Sequence, residues 1–269
     1  MVIGKKEFDT KNHTYIMGIL NVTRDSFSDG GKFFEKDAAL KHVEEMIAEG
    51  MHILDIGGES TRPGYEPVTA AEEIERVVPV VEAVKSHFDI PISVDTQKAT
   101  VARESIKAGA DLINDIWGLK GDKDMASVIA EGKVACCLMH NRREDKYVDL
   151  IKDLCSDLKE CLEIADKAGI MQNRIILDPG IGFAKTTDEN LRVLERMEAL
   201  NGLGCPWLLG ASRKSVIGNT LKLPSDQRLE GTLALTALAV VKGASFVRVH
   251  DIKENKRVVD MLEAVYGRN

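Results

Sequence analysis

The chain holds 269 residues, 44% of them apolar, 29% charged and 5% aromatic, with 7 prolines and no biased tract. That composition belongs to a globular protein with a substantial core and excludes fibrous, low-complexity and disulfide-framed classes. The 36 basic and 43 acidic side chains leave a net charge of −7, a field that repels polyanions, so nucleic acid is not an expected partner and an anionic small molecule needs a local basic patch.

The 5 cysteines, Cys136, Cys137, Cys155, Cys161 and Cys205, form no C-x-x-C pair. This argues against a disulfide framework and a zinc site and fits a reducing cytoplasm. The first residues show no apolar signal region, and the longest apolar stretch, 233–241, is about half the roughly 20 residues of a membrane span. Neither secretion nor a membrane partner is expected.

In chain order, apolar runs at 15–20, 52–56, 91–95, 111–115, 134–140, 174–178, 206–210 and 245–249 read as strands. Most are continuously apolar rather than alternating, the pattern of parallel strands covered on both faces. Helical segments separate them. After the second run, Ile74, Val77, Val78, Val81 and Val84 share one helical face, and Thr69 with Glu72 makes a capping box in front of it. Thr186 with Glu189 makes a second box after the sixth run, and Val258, Val259, Leu262 and Val265 give the last helix its apolar face. Strand then helix, repeated in this way without a linker or composition break, predicts an α/β protein with one domain over 1–269, a (β/α)8 TIM barrel. A doubly wound sheet is the weaker alternative, because no G-x-G-x-x-G follows the first run and such folds use fewer units.

A barrel forms its site at the C-terminal ends of its strands. The residues there are Asn21, Asp55 with Glu59, Asp95, Asn114 with Asp115, His140, Asp178, Arg213 with Lys214, and Arg248 with His250. Any one of the polar groups could be a helix cap; the whole set, mixing acids, amides and bases, points to a site. Asp95, Asn114 and Asp178 suit a neutral heterocycle that presents N–H donors along one edge. Arg62, Arg213, Lys214, Arg248 and His250 suit phosphate or carboxylate. The loops 21–31 and 57–64, rich in Gly, Ser, Thr and Asp, read as lids. GIGFAKT at 180–186 lacks the second glycine of a P-loop, and vicinal Cys136 and Cys137 read as small buried hydrophobes on opposite strand faces.

NVTRDSFSDGG at 21–31, DIGGESTRPG at 55–64, ISVDT at 92–96, IND at 113–115, LMH at 138–140, DPGIGF at 178–183, GASRKS at 210–215 and VRVHD at 247–251 stand in the order and spacing of the dihydropteroate synthases. The chain resembles that family over nearly its whole length. The resemblance implies condensation of hydroxymethyl-dihydropterin pyrophosphate with para-aminobenzoate, giving dihydropteroate and pyrophosphate, by a homodimeric, Mg2+-using, cytoplasmic enzyme of the kind sulfonamides target. It implies a pterin site of Asp95, Asn114, Ile116, Met139, Asp178, Phe183, Lys214 and Arg248. Pyrophosphate would meet Asn21, Arg62, Arg248 and His250, with Asn21 as the protein ligand of Mg2+. Para-aminobenzoate would lie among Phe27, Thr61, Pro63, Phe183, Lys214 and Ser215. Lys214, Arg248, Asp95 and Asp29 are the implied catalytic residues, Asp29 facing the pterin cation or taking the amine proton.

Arg24 stands where the family carries proline, which removes a fixed φ and adds a charge to the first lid, and Trp117 stands where a small residue is expected. Two other readings compete. A pterin-dependent methyl-transfer barrel would share the strand Asp and Asn positions and lack the two lid motifs and SRKS. A non-catalytic pterin-binding barrel would carry a broken Lys214, Arg248 or Asn21.

Overall fold

The computed structural model describes residues 1–22, 32–59, 67–144 and 146–267. The hairpin β1 (Val2–Ile3) and β2 (Lys6–Glu7) precedes eight parallel strands: β3 (Tyr15–Asn21), β4 (Ile53–Gly57), β5 (Ile92–Asp95), β6 (Leu112–Asp115), β7 (Ala135–Met139), β8 (Ile175–Asp178), β9 (Leu208–Leu209) and β10 (Phe246–Val249). They pair in the order β8-β7-β6-β5-β4-β3-β10-β9. A bridge between Leu177 and Trp207 joins the two ends of that row, so the sheet closes on itself as a (β/α)8 barrel. Each strand falls on one of the predicted runs. The hairpin does not, because its strands are too short to show a period.

The helices α1 (Lys32–Ala48), α2 (Ala70–His87), α3 (Ala99–Ala108), α4 (Met125–Gly132), α5 (Leu150–Lys167) and α6 (Thr187–Glu195) each follow one strand. After β9 come α7 (Ser215–Leu221) and α8 (Leu229–Lys242), and α9 (Ile252–Val265) closes the chain. Both predicted capping boxes form, Thr69 with Glu72 on α2 and Thr186 with Glu189 on α6. Each satisfies backbone N–H groups that the first helical turn leaves open.

Side chains alternate across each strand, and that alternation sorts the core. One apolar cluster lies between the sheet and the helices and includes Ile16, Leu54, Val94, Ile113, Cys136 and Leu177. A second fills the barrel at the N-terminal ends of the strands, where Ile3 of the hairpin and Phe8 just after it meet Met17, Ile53, Leu112, Cys137, Ile176 and Phe246. Cys136 and Cys137 therefore face opposite ways, as their strand position predicts, and burial raises both thiol pKa values.

Candidate active site

Two residues beyond several of the strand residues in the inner cluster, the same strand face reaches the barrel mouth. Ile53 leads to Asp55, Leu112 to Asn114, Cys137 to Met139, Ile176 to Asp178 and Phe246 to Arg248, while Ser93 precedes Asp95. The floor is apolar and the layer above it is charged. Arg248 donates from Nε to Asp55 Oδ2 at 2.5 Å and from Nη2 to Asp95 Oδ2 at 2.8 Å. The Ser93 hydroxyl donates to the other oxygen of Asp55 at 2.5 Å. One guanidinium thus balances two carboxylates, and that balance pushes its own pKa further up. Burial raises Asp95 to about 7 in spite of Arg248.

Across the mouth, Lys214 caps the N-terminus of α7 and turns its ammonium toward the strand ends, donating to the Ile181 carbonyl at 2.6 Å. Its Nζ stands 4.6 Å from the centre of the Phe183 ring, a cation–π contact. Burial lowers Lys214 to about 8, against the pull of Asp178 and Asp95. Asp178 is raised by burial, with Lys214 opposing; its Oδ1 accepts from the Gly180 N–H at 2.7 Å. Asn114, Ile116 and Met139 are buried among these groups' strands and loops. At the end of β3, Asn21 is exposed beside Gly57, where an added Cβ would stand 3.5 Å from Asn21 Oδ1 and 3.8 Å from Asp95 Cβ. His250 shares a 3.0 Å contact between Nδ1 and Ser212 Oγ, and Ser215 begins α7, exposed beside Lys214. Phe27, Asp29, Thr61, Arg62 and Pro63, together with Arg24, lie outside the described residues.

Some of the polar residues at strand ends turn away from the mouth. Asp115 follows Asn114 and so points outward, where its carboxylate accepts from the N–H groups of Trp117 at 2.9 Å and Leu119 at 2.7 Å; burial raises it to about 6. His140 is fully buried against Asp157 and Lys185. Glu59 accepts from Lys98, Gln97 and the Val68 N–H. Arg213 is occupied by a bidentate pair with Asp251. Trp117 packs outside the mouth and donates to Gln97 Oε1 at 2.8 Å. In the sequence, Asp55 has no more than a place at the strand ends, and Ser93 carries no signal beyond standing two residues before Asp95 on the same face. Lys185 reads there only as part of a defective P-loop.

The model of the family described as pterin binding enzyme matches residues 17–250. The dihydropteroate synthase of Clostridium beijerinckii is 57% identical over 269 residues, covering 100% of each chain. That of Bacillus subtilis is 55% identical over 258 residues, 96% of this chain and 90% of that one. Among solved structures, the Clostridium difficile dihydropteroate synthase determined in the presence of pteroic acid superposes with a TM-score of 0.94 at 48% identity, covering 97% of this chain and 99% of that one. The Yersinia pestis enzyme in a sulfonamide drug complex gives 0.92 at 40% identity, covering 99% of both.

Proposed function

The chain belongs to the family of pterin binding enzymes and, within it, to the dihydropteroate synthases, and on that premise we propose how its barrel mouth joins hydroxymethyl-dihydropterin pyrophosphate to para-aminobenzoate. The observation that carries the residue roles is Asp95 Oδ1, a buried carboxylate oxygen with no hydrogen-bond partner among the described residues. Leaving such an oxygen unpaired is costly, and a ligand N–H donor relieves the cost. A pterin edge supplies N–H groups to Asp95, Asn114 and Asp178, while Ile116, Met139 and Phe183 cover its faces and Arg248 lies against the ring. Lys214, held by the Ile181 carbonyl and the Phe183 ring, reaches a ring acceptor and borders para-aminobenzoate, which lies against Ser215, Phe27, Thr61 and Pro63.

The reaction breaks the bond between the pterin methylene carbon and its pyrophosphate oxygen, whose electron pair leaves with pyrophosphate. The amine nitrogen of para-aminobenzoate bonds to that carbon and sheds one proton. The cation that develops is flanked by the carboxylates of Asp95 and Asp178, placed before the reaction begins. Arg62, Arg248 and His250 receive the pyrophosphate, and Asp29 faces the cation or accepts the amine proton.

No group of three or more His, Cys, Asp or Glu among the described residues could cage a metal ion, whereas Asn21 offers one amide oxygen at the mouth. That donor fits Mg2+, which keeps waters and substrate phosphates as most of its ligands. Asn21 would hold the ion, which when bound supplies positive charge to the departing pyrophosphate.

The homodimer belongs to this proposal as well. Leu221, Val241, Met261, Val265 and Tyr266, on or beside the adjoining helices α7, α8 and α9, are exposed apolar groups that a second copy would cover. Buried free thiols support a cytoplasmic setting, and no helix of the described residues is long and apolar enough to cross a membrane.

Purified protein given both substrates and Mg2+ should form dihydropteroate, followed by chromatography, together with pyrophosphate, each product requiring both substrates. Absence of product while a pterin still binds by calorimetry would refute the activity. Light scattering should return the mass of two chains; the mass of one would remove the dimer.

A further inference from the structure

The segment GIGFAKT, read from sequence as a failed P-loop, forms a backbone turn in which nearly every carbonyl is held. Its backbone enters the left-handed region at Gly180, Gly182 and Ala184, with φ of 68°, 85° and 46°. Glycine is required at the first of these, since a Cβ there would stand 2.0 Å from the His140 carbonyl oxygen. Ala184 adopts its conformation in spite of a side chain, so the surroundings must enforce it.

Lys185 lies at the centre of what enforces it. Its Nζ contacts His140 Nδ1 at 2.9 Å, the Gly180 carbonyl at 3.0 Å and the Phe183 carbonyl at 3.1 Å. Three acceptors match the three protons of an ammonium, and a neutral amine would set its lone pair against one of them. Burial lowers Lys185 to about 7; Asp178, Asp157 and Glu189 favour its charged form and Lys214 disfavours it. His140 keeps Nδ1 as an acceptor because Nε2 faces Asp157 Oδ2 at 3.0 Å, and Asp157 is itself clamped by Arg142 Nε at 2.5 Å. On the outer side, Tyr147 donates its hydroxyl to the Ala184 carbonyl at 2.8 Å. Asn190 donates to the carbonyls of Lys185 and Thr186 and accepts from the Gly182 N–H. The remaining carbonyl that matters, Ile181, points the other way and receives Lys214.

We propose that Lys185 is a positioning residue for the condensation: from beneath the turn it fixes the Ile181 carbonyl and the Phe183 ring, and through them the place of the Lys214 ammonium between the two substrates. This rests on Lys214 and Phe183 serving the pterin and para-aminobenzoate as assigned above. Lys185 touches neither substrate, and two lysines share one turn, one holding it in shape and one using that shape.

Lys185→Met keeps the length of the side chain and removes its donors. Confirmed as folded by circular dichroism, it should show kcat reduced about tenfold or more and KM raised for both substrates, since a small displacement of Lys214 affects binding and chemistry together. A purely structural role would lower the melting temperature and leave kcat and KM per folded molecule unchanged, and that result overturns the proposal. Tyr147→Phe, which removes the hydroxyl bond to the Ala184 carbonyl and keeps the ring, decides the matter if Lys185→Met does not fold. A smaller shift in the same constants supports the proposal, and wild-type constants overturn it. Should the wild-type protein form no product, the activity reading fails by itself. Calorimetry with 6-hydroxymethylpterin then tests Lys185 separately: binding about tenfold weaker in Lys185→Met supports its role, and equal binding overturns it.

Discussion

Replacing Arg248 with Met should unfold the protein more readily at neutral pH than in mild acid. Arg248 is the counter-charge of Asp55, whose side chain is 0% exposed, and of Asp95, at 11%. Without it, Asp55 keeps the Ser93 hydroxyl as its one hydrogen-bond partner among the described residues. Removing one partner of a buried ion pair costs about 3–5 kcal/mol. A second route gives a similar figure, because a carboxylate stranded in such a place takes up a proton rather than stay charged. At pH 7.5 that uptake costs about 1.4 kcal/mol for each of the nearly four units separating the solution from an ordinary carboxyl group, or about 5 kcal/mol. Asp95, already raised to about 7, adds little to this. At about 2–4 °C per kcal/mol for a chain of this size, a loss of about 5 kcal/mol should lower the melting temperature by roughly 10–20 °C.

The sign with pH follows from proton counting. In the variant the native state holds a proton that the unfolded chain releases above about pH 4, so native stability falls as pH rises and recovers on acidification by about 1.4 kcal/mol per unit. Thermal melts of wild type and variant at pH 7.5 and 5.5 read this directly. A loss under about 1 kcal/mol at pH 7.5, or one of equal size at both pH values, would refute the charge-balance account.

Lys214→Met should behave in the opposite way. Burial lowers Lys214 to about 8 from 10.5, a cost of roughly 3 kcal/mol at neutral pH that about 1.5–3 kcal/mol from the Ile181 bond offsets. Its melting temperature should stay within a few degrees of wild type while turnover collapses; retained turnover would take Lys214 out of the site. His140 is lowered by burial to about 4 from 6.5. The unfolded chain therefore gains a proton first as pH falls below 6.5, and about 3 kcal/mol of stability is lost by pH 4; urea titrations of His140→Gln should show a flatter decline over that window. Thr186→Ala removes the capping box of α6 and should cost about 1 kcal/mol by urea unfolding. In the folded protein a disulfide reagent should modify half-buried Cys155 before Cys136 or Cys137, which are fully buried with raised thiol pKa values; early reaction at either would contradict the packing.

The barrel was legible because parallel strands are covered on both faces, so YIMGIL and RIILD stand out as unbroken apolar runs. The hairpin at residues 2–7 was not, since two residues cannot show a period. The mouth was legible as a set but not side by side. Asn114 and Asp115 are neighbours in sequence, and the two-residue alternation sends one into the barrel and the other to a turn behind it. His140 lies just past the end of β7, and its burial depends on Asp157 from α5 and Lys185 from the β8–α6 turn. No local pattern announces a residue whose partners come from two other elements. The pairing of Arg248 with Asp55 spans 193 positions for the same reason.

The barrel is laced unevenly around its circumference. Between β8 and β9 the sheet narrows to the bridge of Leu177 with Trp207, which includes a bond from the Leu177 N–H to the Pro206 carbonyl at 3.0 Å. Asp178 and Ile181 stand on one bank of that seam and Lys214 on the other, with the Lys214 bond to Ile181 crossing it. Warming that loosens this joint separates the two banks while the other strand pairs still hold. Heat inactivation should then begin below the temperature at which the secondary structure melts, and cooling should restore activity as the seam closes.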